Sequence, residues 1–309
     1  MIPVPLASRR RLLQAGLALG AAALLPPAAA QAPLLTRPVP STGIRLPLVG
    51  LGTNRFRFGD EAWLERLRET LGAFLRFGGK VVDTAPAYGD SEAVIGRLLA
   101  AANGLREQLF LATKVGRESA GEGRDSLAAS YVALRTPRLD LVQLHNLRGV
   151  ATVLPILREQ QAAGHIGHLG ITSSNDRQYA EMEAIMRRER LDFIQVDYAV
   201  GNRGAGERLL PLAAERGMAV LVNLPFGRGA QFRAVGERPL PDWAAEIDCS
   251  SWAQVFLKYV VSHPAVTCAI PGSTQAAHVA DNLGAARGRL PDAALRREIA
   301  GYFDAIVDG

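Results

Sequence analysis

The chain has 309 residues, 48% of them hydrophobic, enough to bury one large core or two small ones. The formal charge of +5 overstates its basicity: residues 1–30 hold Arg9, Arg10 and Arg11 and no acid, and without those three the 35 basic residues become 32 against 30 acidic ones, a net +2. That balance excludes the footprint of a nucleic-acid binder, the two cysteines make no disulfide framework, and no stretch after the leader is long and apolar enough to anchor the chain in a membrane.

The first element in chain order is that leader. Ser8-Arg9-Arg10-Arg11-Leu12-Leu13 runs into a soft apolar stretch from Ala15 to Leu25, and small residues follow. Charged, apolar and small segments in this order have the layout of a secretory signal, and the arginines resemble a twin-arginine export signal. Ala28 and Ala30 fit cleavage after Ala30. Residues 1–30 are therefore expected to be a signal peptide, 31–45 a linker, and 46–309 one domain. The bland alternative is a basic N-terminal tail. The twin-arginine route carries cargo that has already folded, so its export machinery is an expected partner and the periplasm, or another exported location, the expected destination. Folding under reducing conditions would leave Cys249 and Cys268 as thiols.

Behind the leader, short apolar runs alternate with helical patterns. The runs are Leu48–Leu51, Lys80–Asp83, Leu109–Lys114, Leu139–Leu144, His168–Ile171, Phe193–Tyr198, Ala219–Leu224 and Val266–Ile270. Near-continuous apolar runs of this length are what strands buried on both faces require. Between them, Leu64, Leu67, Leu71, Phe74 and Leu75 form a stripe at helical spacing, as do Val94, Ile95, Leu98 and Leu99. Val153, Ile156 and Leu157 form a third, closed by Gly164, and Trp252, Val255, Phe256 and Tyr259 a fourth. Eight strand–helix units in about 260 residues predict a single-domain (β/α)8 TIM barrel. A doubly wound open sheet is the alternative, but the first unit lacks a G-x-G-x-x-G turn.

A barrel puts its chemistry at the C-terminal ends of its strands. Those ends carry Asp83 in KVVDTAPAYGD, with Tyr88 in the loop behind it, Lys114 in LFLATKV and His145 in LVQLHN. Each alone has an ordinary explanation: a helix cap, a half-buried aromatic, a snorkelling lysine, a satisfied core histidine. Four titratable groups on one rim perturb one another and suit proton delivery by a phenol. In that reading Lys114 lowers the Tyr88 pKa, Asp83 keeps Lys114 charged, and His145 orients a carbonyl. No nucleophile–base pair and no metal set accompanies them; His165 and His168 read as loop residues at the opposite end. Such a rim protonates an oxyanion and needs a hydride carrier.

VGLGT, DTAPAYGDSEAVIG, LATKVG, DLVQLHN, GHIGHLGIT, QVDY, LPFGRG and IPGSTQAAHVADNL occur in this order. The chain from Leu46 to about Arg289 thereby resembles the aldo-keto reductase family, whose Asp, Tyr, Lys, His tetrad falls on Asp83, Tyr88, Lys114 and His145. The resemblance implies a barrel that binds an extended nicotinamide dinucleotide and reduces small-molecule aldehydes or ketones, with Tyr88 as general acid. It places carboxamide contacts on Thr172, Ser173 and Gln195, of which only Gln195 keeps the family's residue. The stacking aromatic falls on Asn223, with Phe226 nearby, and Arg228 falls at the pyrophosphate. The adenosine half falls on Gly272, Ser273, Thr274, Gln275, His278, Asp281 and Asn282. Gly272 and His278 stand where many members grip a 2′-phosphate with Lys and Arg, so NADPH is the implied cofactor and NADH a serious alternative.

On the substrate side, the loop Pro225–Asp248 with Trp243 is a candidate lid, and Phe56 and Phe58 a candidate apolar wall flanked by Arg55 and Arg57. Two other functions stay open. One is a non-turnover dinucleotide-binding redox or partner protein on the same barrel; the other is a Schiff-base lyase using Lys114.

Overall fold

The computed structural model describes residues 32–101 and 104–308. The leader and its cleavage site lie outside the described residues. Strands β1 (Thr36–Pro38) and β2 (Arg45–Pro47) form an antiparallel hairpin. Eight parallel strands follow: β3 (Leu51–Gly52), β4 (Val81–Asp83), β5 (Phe110–Val115), β6 (Leu139–His145), β7 (Ile166–Ser173), β8 (Phe193–Asp197), β9 (Ala219–Asn223) and β10 (Cys268–Ala269). They pair in chain order, and parallel bridges Val49–Ala269 and Gly52–Gly272 join the last strand to the first. The result is the expected single-domain (β/α)8 barrel.

The stripes read from the sequence become the helices' inner faces. In α1 (Glu61–Arg76), Leu64, Leu67, Leu71 and Phe74 are buried, and Asp60 caps the helix by accepting from the Trp63 N–H at 2.8 Å. In α2 (Ser91–Ala100) the buried set is Val94, Ile95, Leu98 and Leu99. Helix α3 (Ala120–Leu134) starts at Ser119, whose hydroxyl bonds Glu122 at 2.7 Å while accepting the Glu122 N–H, a capping box. Helices α4 (Leu154–Ala162), α5 (Tyr179–Arg188) and α6 (Ala205–Glu215) continue the alternation.

The segment read as a linker is in fact largely structured. Its strand and the turn into β2 fold under the barrel, and Val39 and Leu46 join Val81, Phe110, Leu141, Phe193, Leu221 and Cys268 in the interior cluster. His168 is likewise no loop residue. It lies in β7, 3% exposed, and packs on Phe110 and Phe193 at ring separations of 5.6 and 5.4 Å. Its Nδ1–H donates to the Asp140 carbonyl at 2.9 Å, which leaves Nε2 to accept the Thr42 hydroxyl at 3.1 Å. This histidine and the hairpin seal the N-terminal end. His165 does sit on a loop, beside Gln160.

The candidate lid is also different. Residues 225–248 fold into the short helices α7 (Ala230–Val235) and α8 (Trp243–Glu246). Trp243 is buried edge-on against Tyr302 of the last helix, α11 (Ala293–Asp308), after α9 (Trp252–Val261) and α10 (Ala276–Gly284). The end of the segment is stapled down by Lys258, fully buried in α9, whose ammonium donates to the carbonyls of Ile247, Arg287 and Arg289 at 2.6, 2.7 and 2.8 Å. An aromatic long enough to cover a mouth is thus spent on packing.

Cys249 is half-buried after α8 and Cys268 faces the barrel interior; both are free thiols. Burial pushes the Cys249 thiol up to about 12 and raises that of Cys268 as well. Titration of denatured, unreduced protein should therefore count two thiols, and the native protein should alkylate slowly at about pH 8. A count of zero would mean the pair had been oxidised despite this geometry.

Candidate active site

Successive side chains on a strand point to opposite faces, so each barrel strand reads as a column of inward residues ending at the C-terminal mouth. The columns are Val81–Asp83, Phe110–Ala112–Lys114, Leu141–Gln143–His145, His168–Gly170–Thr172, Phe193–Gln195 and Ala219–Leu221–Asn223. The lower members are mostly apolar and pack the barrel; the upper ones are polar. Gly170 is required in its column, since a Cβ there would lie 2.6 Å from the Phe193 carbonyl oxygen and 3.2 Å from Gln143 Cγ.

The polar layer brings the four expected groups together. Lys114, 1% exposed, donates to Asp83 Oδ2 at 2.6 Å and to the Thr84 carbonyl at 2.8 Å. Its ammonium lies 5.0 Å from the centre of the Tyr88 ring. Tyr88 ends a 3-10 turn, Pro86–Tyr88, which Gly89 closes at φ 62°, a left-handed conformation suited to glycine. The Tyr88 and His145 rings meet edge to face at 6.1 Å. Burial opposes the charge on Lys114, but Asp83 and then Tyr88 hold the ammonium above its ordinary pKa. His145 falls to about 4 because burial, Lys114 and Arg148 all disfavour its cation. It is neutral at neutral pH. Tyr88 departs from expectation: Lys114 does pull its pKa down, yet burial outweighs that pull and the phenol ends above its usual value. A phenol so placed is a donor, protonated throughout the neutral range.

Behind these groups lies a hydroxyl network that the motif reading passed over. Thr53 donates to the Asp83 carbonyl and Ser91 to the Thr53 carbonyl, both at 2.9 Å. The Ser91 proton being committed, Thr84 donates to Ser91 Oγ at 2.9 Å. Glu92, 5% exposed, accepts from Thr113 at 2.6 Å and Ser130 at 3.2 Å, pinning α2 against β5 and α3. Gln143 was missed as well. Its Nε2 donates to Gln195 Oε1 at 3.0 Å, which leaves the Gln195 amide hydrogens facing Asp83 at the mouth. The available signal was position: two residues before His145, on the same face.

A cleft of about 600 Å³ opens above Asp83 and Tyr88. Gln195, Asn223, Phe226, Arg228, Gly272, Ser273, Thr274, Gln275 and His278 line it, with Asn54 and Arg55 from the first loop. Arg228 sits between Gly227 and Gly229 on a turn in which all three residues have positive φ (53°, 54°, 82°), and its side chain reaches the cleft. Gly52 and Gly272 let the rim close; a Cβ on Gly272 would lie 3.1 Å from Asn54 Oδ1. Buried Asn223 Oδ1 has no hydrogen-bond partner among the described residues, while its Nδ2 donates to the Ser173 carbonyl at 3.3 Å.

Four expected contacts do not line the cleft. Thr172 faces inward but is covered, 2% exposed. Ser173, next along, points to the opposite face, where its hydroxyl donates to Gln178 at 2.8 Å. The Asp281 carboxylate accepts from Ser251 and Gln254, both at 2.7 Å, and Asn282 is buried behind it. The expected apolar wall is absent too: Phe56 is buried beneath its loop, and Phe58 lies in a groove with Val132, outside the cleft. Among the described residues no cluster of His, Cys, Asp or Glu could hold a metal ion.

Removing one member of a buried ion pair leaves a buried charge and costs about 3–5 kcal/mol. Lys114→Met should therefore lower both stability and the carbonyl reduction that the sequence resemblance implies. Asp83→Asn/Lys114→Met should regain much of the stability in urea melts but none of the activity, separating the pair's structural role from its chemical one.

A model of the "Aldo/keto reductase family" matches residues 48–297. The chain is 30% identical over 264 residues to methylglyoxal reductase YeaE of Escherichia coli, covering 82% of this chain and 90% of that one. It is 26% identical to the NADH-specific methylglyoxal reductase of the same organism, over 85% of this chain and 97% of that one. Among solved structures, an aldo/keto reductase from Klebsiella pneumoniae in complex with NADP and acetate superposes with a TM-score of 0.71 at 24% identity, over 84% of this chain and 93% of that one. The holo form of aldo-keto reductase AKR11C1 from Bacillus halodurans gives 0.72 at 22%, over 87% and 96%. With a barrel closed by eight parallel strands, a buried Asp–Lys pair beside a tyrosine and a histidine, and a family match across most of its length, this chain belongs to the aldo/keto reductase family.

Proposed function

We propose that the protein reduces aldehydes or ketones to alcohols at the expense of NADPH or NADH, with Tyr88 as general acid. The observation that carries this reading is the clustering of four groups around Tyr88: Asp83 lines the cleft with it, Lys114 is bonded to Asp83 behind it, and a neutral His145 meets its ring edge to face. The relatives named above support it: two are methylglyoxal reductases, and one structure holds NADP.

The cleft fits a dinucleotide. Its volume, the partnerless Asn223 amide oxygen, the Gln195 amide turned toward the mouth and the Arg228 turn suit a carboxamide at one end and a pyrophosphate at the other. When bound, the reduced nicotinamide supplies the hydride. This chain does the rest. His145 Nε2 or Nδ1, whichever carries the proton, and the Tyr88 hydroxyl hold the carbonyl oxygen. As that oxygen gains charge, Tyr88 gives it a proton, and the Lys114 ammonium stabilises the phenolate left behind. Asp83 keeps Lys114 charged and immobile. Gly272 and His278 offer no paired cations for a 2′-phosphate, which favours use of both dinucleotides.

The same contacts weigh against a Schiff-base lyase, because Lys114 is protonated, buried and fully engaged by Asp83 and Thr84. A non-turnover dinucleotide-binding protein remains the second reading, favoured by the absence of a stacking aromatic at Asn223.

Tyr88→Phe should lower single-turnover reduction by about 10²–10⁴-fold while dinucleotide binding, read by fluorescence quenching, is retained. In the parent enzyme kcat/KM should stay level from about pH 5 to 9, with His145 already neutral and Tyr88 still protonated, and should fall at higher pH as the phenol ionises. Full activity in the phenylalanine variant would end the assignment.

We further propose that the protein leaves the cytoplasm by the twin-arginine route, cleaved after Ala30 and carrying its dinucleotide. Support comes from residues 8–30 and from the fact that dinucleotides are made in the cytoplasm. Replacing Arg9 and Arg10 by lysine should strand the precursor in the cytoplasm; continued export of that variant would point to the general secretory route.

A further inference from the structure

A second cavity, of about 280 Å³, lies on the other side of the Tyr88–His145 wall. Tyr88 lines the larger cleft, whereas Pro86 and Ala87 of the same turn line the smaller one, together with Arg117, Ser126, His145 and Arg148. No acidic residue lines it.

The two arginines arrive from different loops and are brought together by the backbone. Arg117 follows β5 and Arg148 follows β6. The chain leaves His145 through Asn146 and Leu147, both in left-handed conformations (φ 55° and 60°) that L-residues avoid. The Arg148 N–H then donates back to the His145 carbonyl at 3.3 Å, and Gln178 holds the Asn146 carbonyl at 3.3 Å. Gly149 (φ 74°) completes the turn against the first loop: a Cβ there would stand 2.4 Å from the Arg117 carbonyl oxygen. Only glycine lets the two loops approach this closely.

The cations gathered there are scarcely neutralised. The Arg117 guanidinium makes no hydrogen bond or ion pair among the described residues. Arg148 has one exposed contact, 3.6 Å from Glu118, and an exposed pair of that length contributes little. Glu122, fully exposed, is hydrogen-bonded by Ser119 and feels the Arg117 charge, so what counter-charge Arg117 has is screened by water. Two exposed guanidinium groups lining one cavity, with only exposed carboxylates for counter-charge, beside the group that positions the carbonyl, are suited to a planar or tetrahedral oxyanion.

We propose that Arg117 and Arg148 form an anion subsite that selects carbonyl substrates bearing a carboxylate or a phosphate, their reacting carbonyl held at Tyr88 and His145. The inference rests on the reductase reading above and narrows its substrate class.

The test uses the full enzyme with saturating NADPH and two matched pairs: 5-oxopentanoate with its methyl ester, and glyceraldehyde 3-phosphate with glyceraldehyde. The anionic partner of at least one pair should show a kcat/KM advantage of about tenfold or more, falling as salt is added; which pair shows it distinguishes carboxylate from phosphate. Arg117→Met and Arg148→Met should each bring that ratio toward one, and Arg117→Lys should keep part of it. Dinucleotide affinity, read by fluorescence, should not move in any of the three, because neither arginine lines the larger cleft. Equal kcat/KM within both pairs, or a preference that survives both methionine substitutions, overturns the subsite and leaves the reductase reading standing. Failure to oxidise either NADPH or NADH with all four compounds overturns the reductase reading, and the subsite with it.

Discussion

Two charges buried in the mouth of a barrel, Asp83 and Lys114, set the terms for everything around them. Taking an isolated ion out of water costs several kcal/mol, and attraction offsets that only when geometry is good and the remaining protons find partners. Here β4 and β5 are in register with Asp83 opposite Ala112, so Lys114, two residues on, shares the inward face and reaches Asp83 at 2.6 Å. The Thr84 carbonyl takes a second ammonium proton. A slip of one residue in either strand would turn one charge to the outer face. The neighbouring contacts read as protection against that slip: Thr53 and Ser91 hold the end of β4, and Glu92 grips Thr113 on the outer face of β5.

From this pair the electrostatics of the site follow in order. Burial and then the charged lysine keep His145 neutral, and a neutral imidazole can orient a carbonyl without competing for the proton that Tyr88 must deliver. Lys114 also pulls on Tyr88, yet the same burial that strengthens its field raises the phenol further. Lysine here is better described as a stabiliser of the product phenolate than as a means of making Tyr88 acidic beforehand. The two accounts differ in when the charge matters, and the geometry favours the later moment.

Much of this was legible in the sequence, for an identifiable reason. Strands buried on both faces must be apolar, so Asp83, Lys114 and His145 stood out as the points where apolar runs stop, and runs of that kind gave the strand count. What escaped was whatever depended on facing rather than on residue type. Ser173 was placed among the ligand contacts by the family resemblance, yet alternation turns it outward to Gln178. Gln143 is a lone polar residue in an apolar run with nothing in its type to mark it, yet it sits on the inward face and bonds Gln195. Trp243 and Phe56 were exposed in the linear pattern and buried in three dimensions, since a loop's packing partners, here Tyr302 on α11, lie far away in the chain. The stretch read as a linker, 31–45, offers no apolar run of strand length, yet its short strand pairs with β2 across the turn.

The hairpin beneath the barrel has a consequence for traffic. With Val39, Leu46 and His168 closing the floor, the barrel is a cul-de-sac, and whatever reacts at Tyr88 must come and go through the rim. A long ligand laid across the 600 Å³ cleft and a small one entering beside His145 share that single doorway. The larger occupies the wider part of it, so a small molecule already seated at Tyr88 lies in the path of one arriving later. Two ligands that must pass the same rim would obstruct one another, and whichever left more slowly would set the pace of turnover.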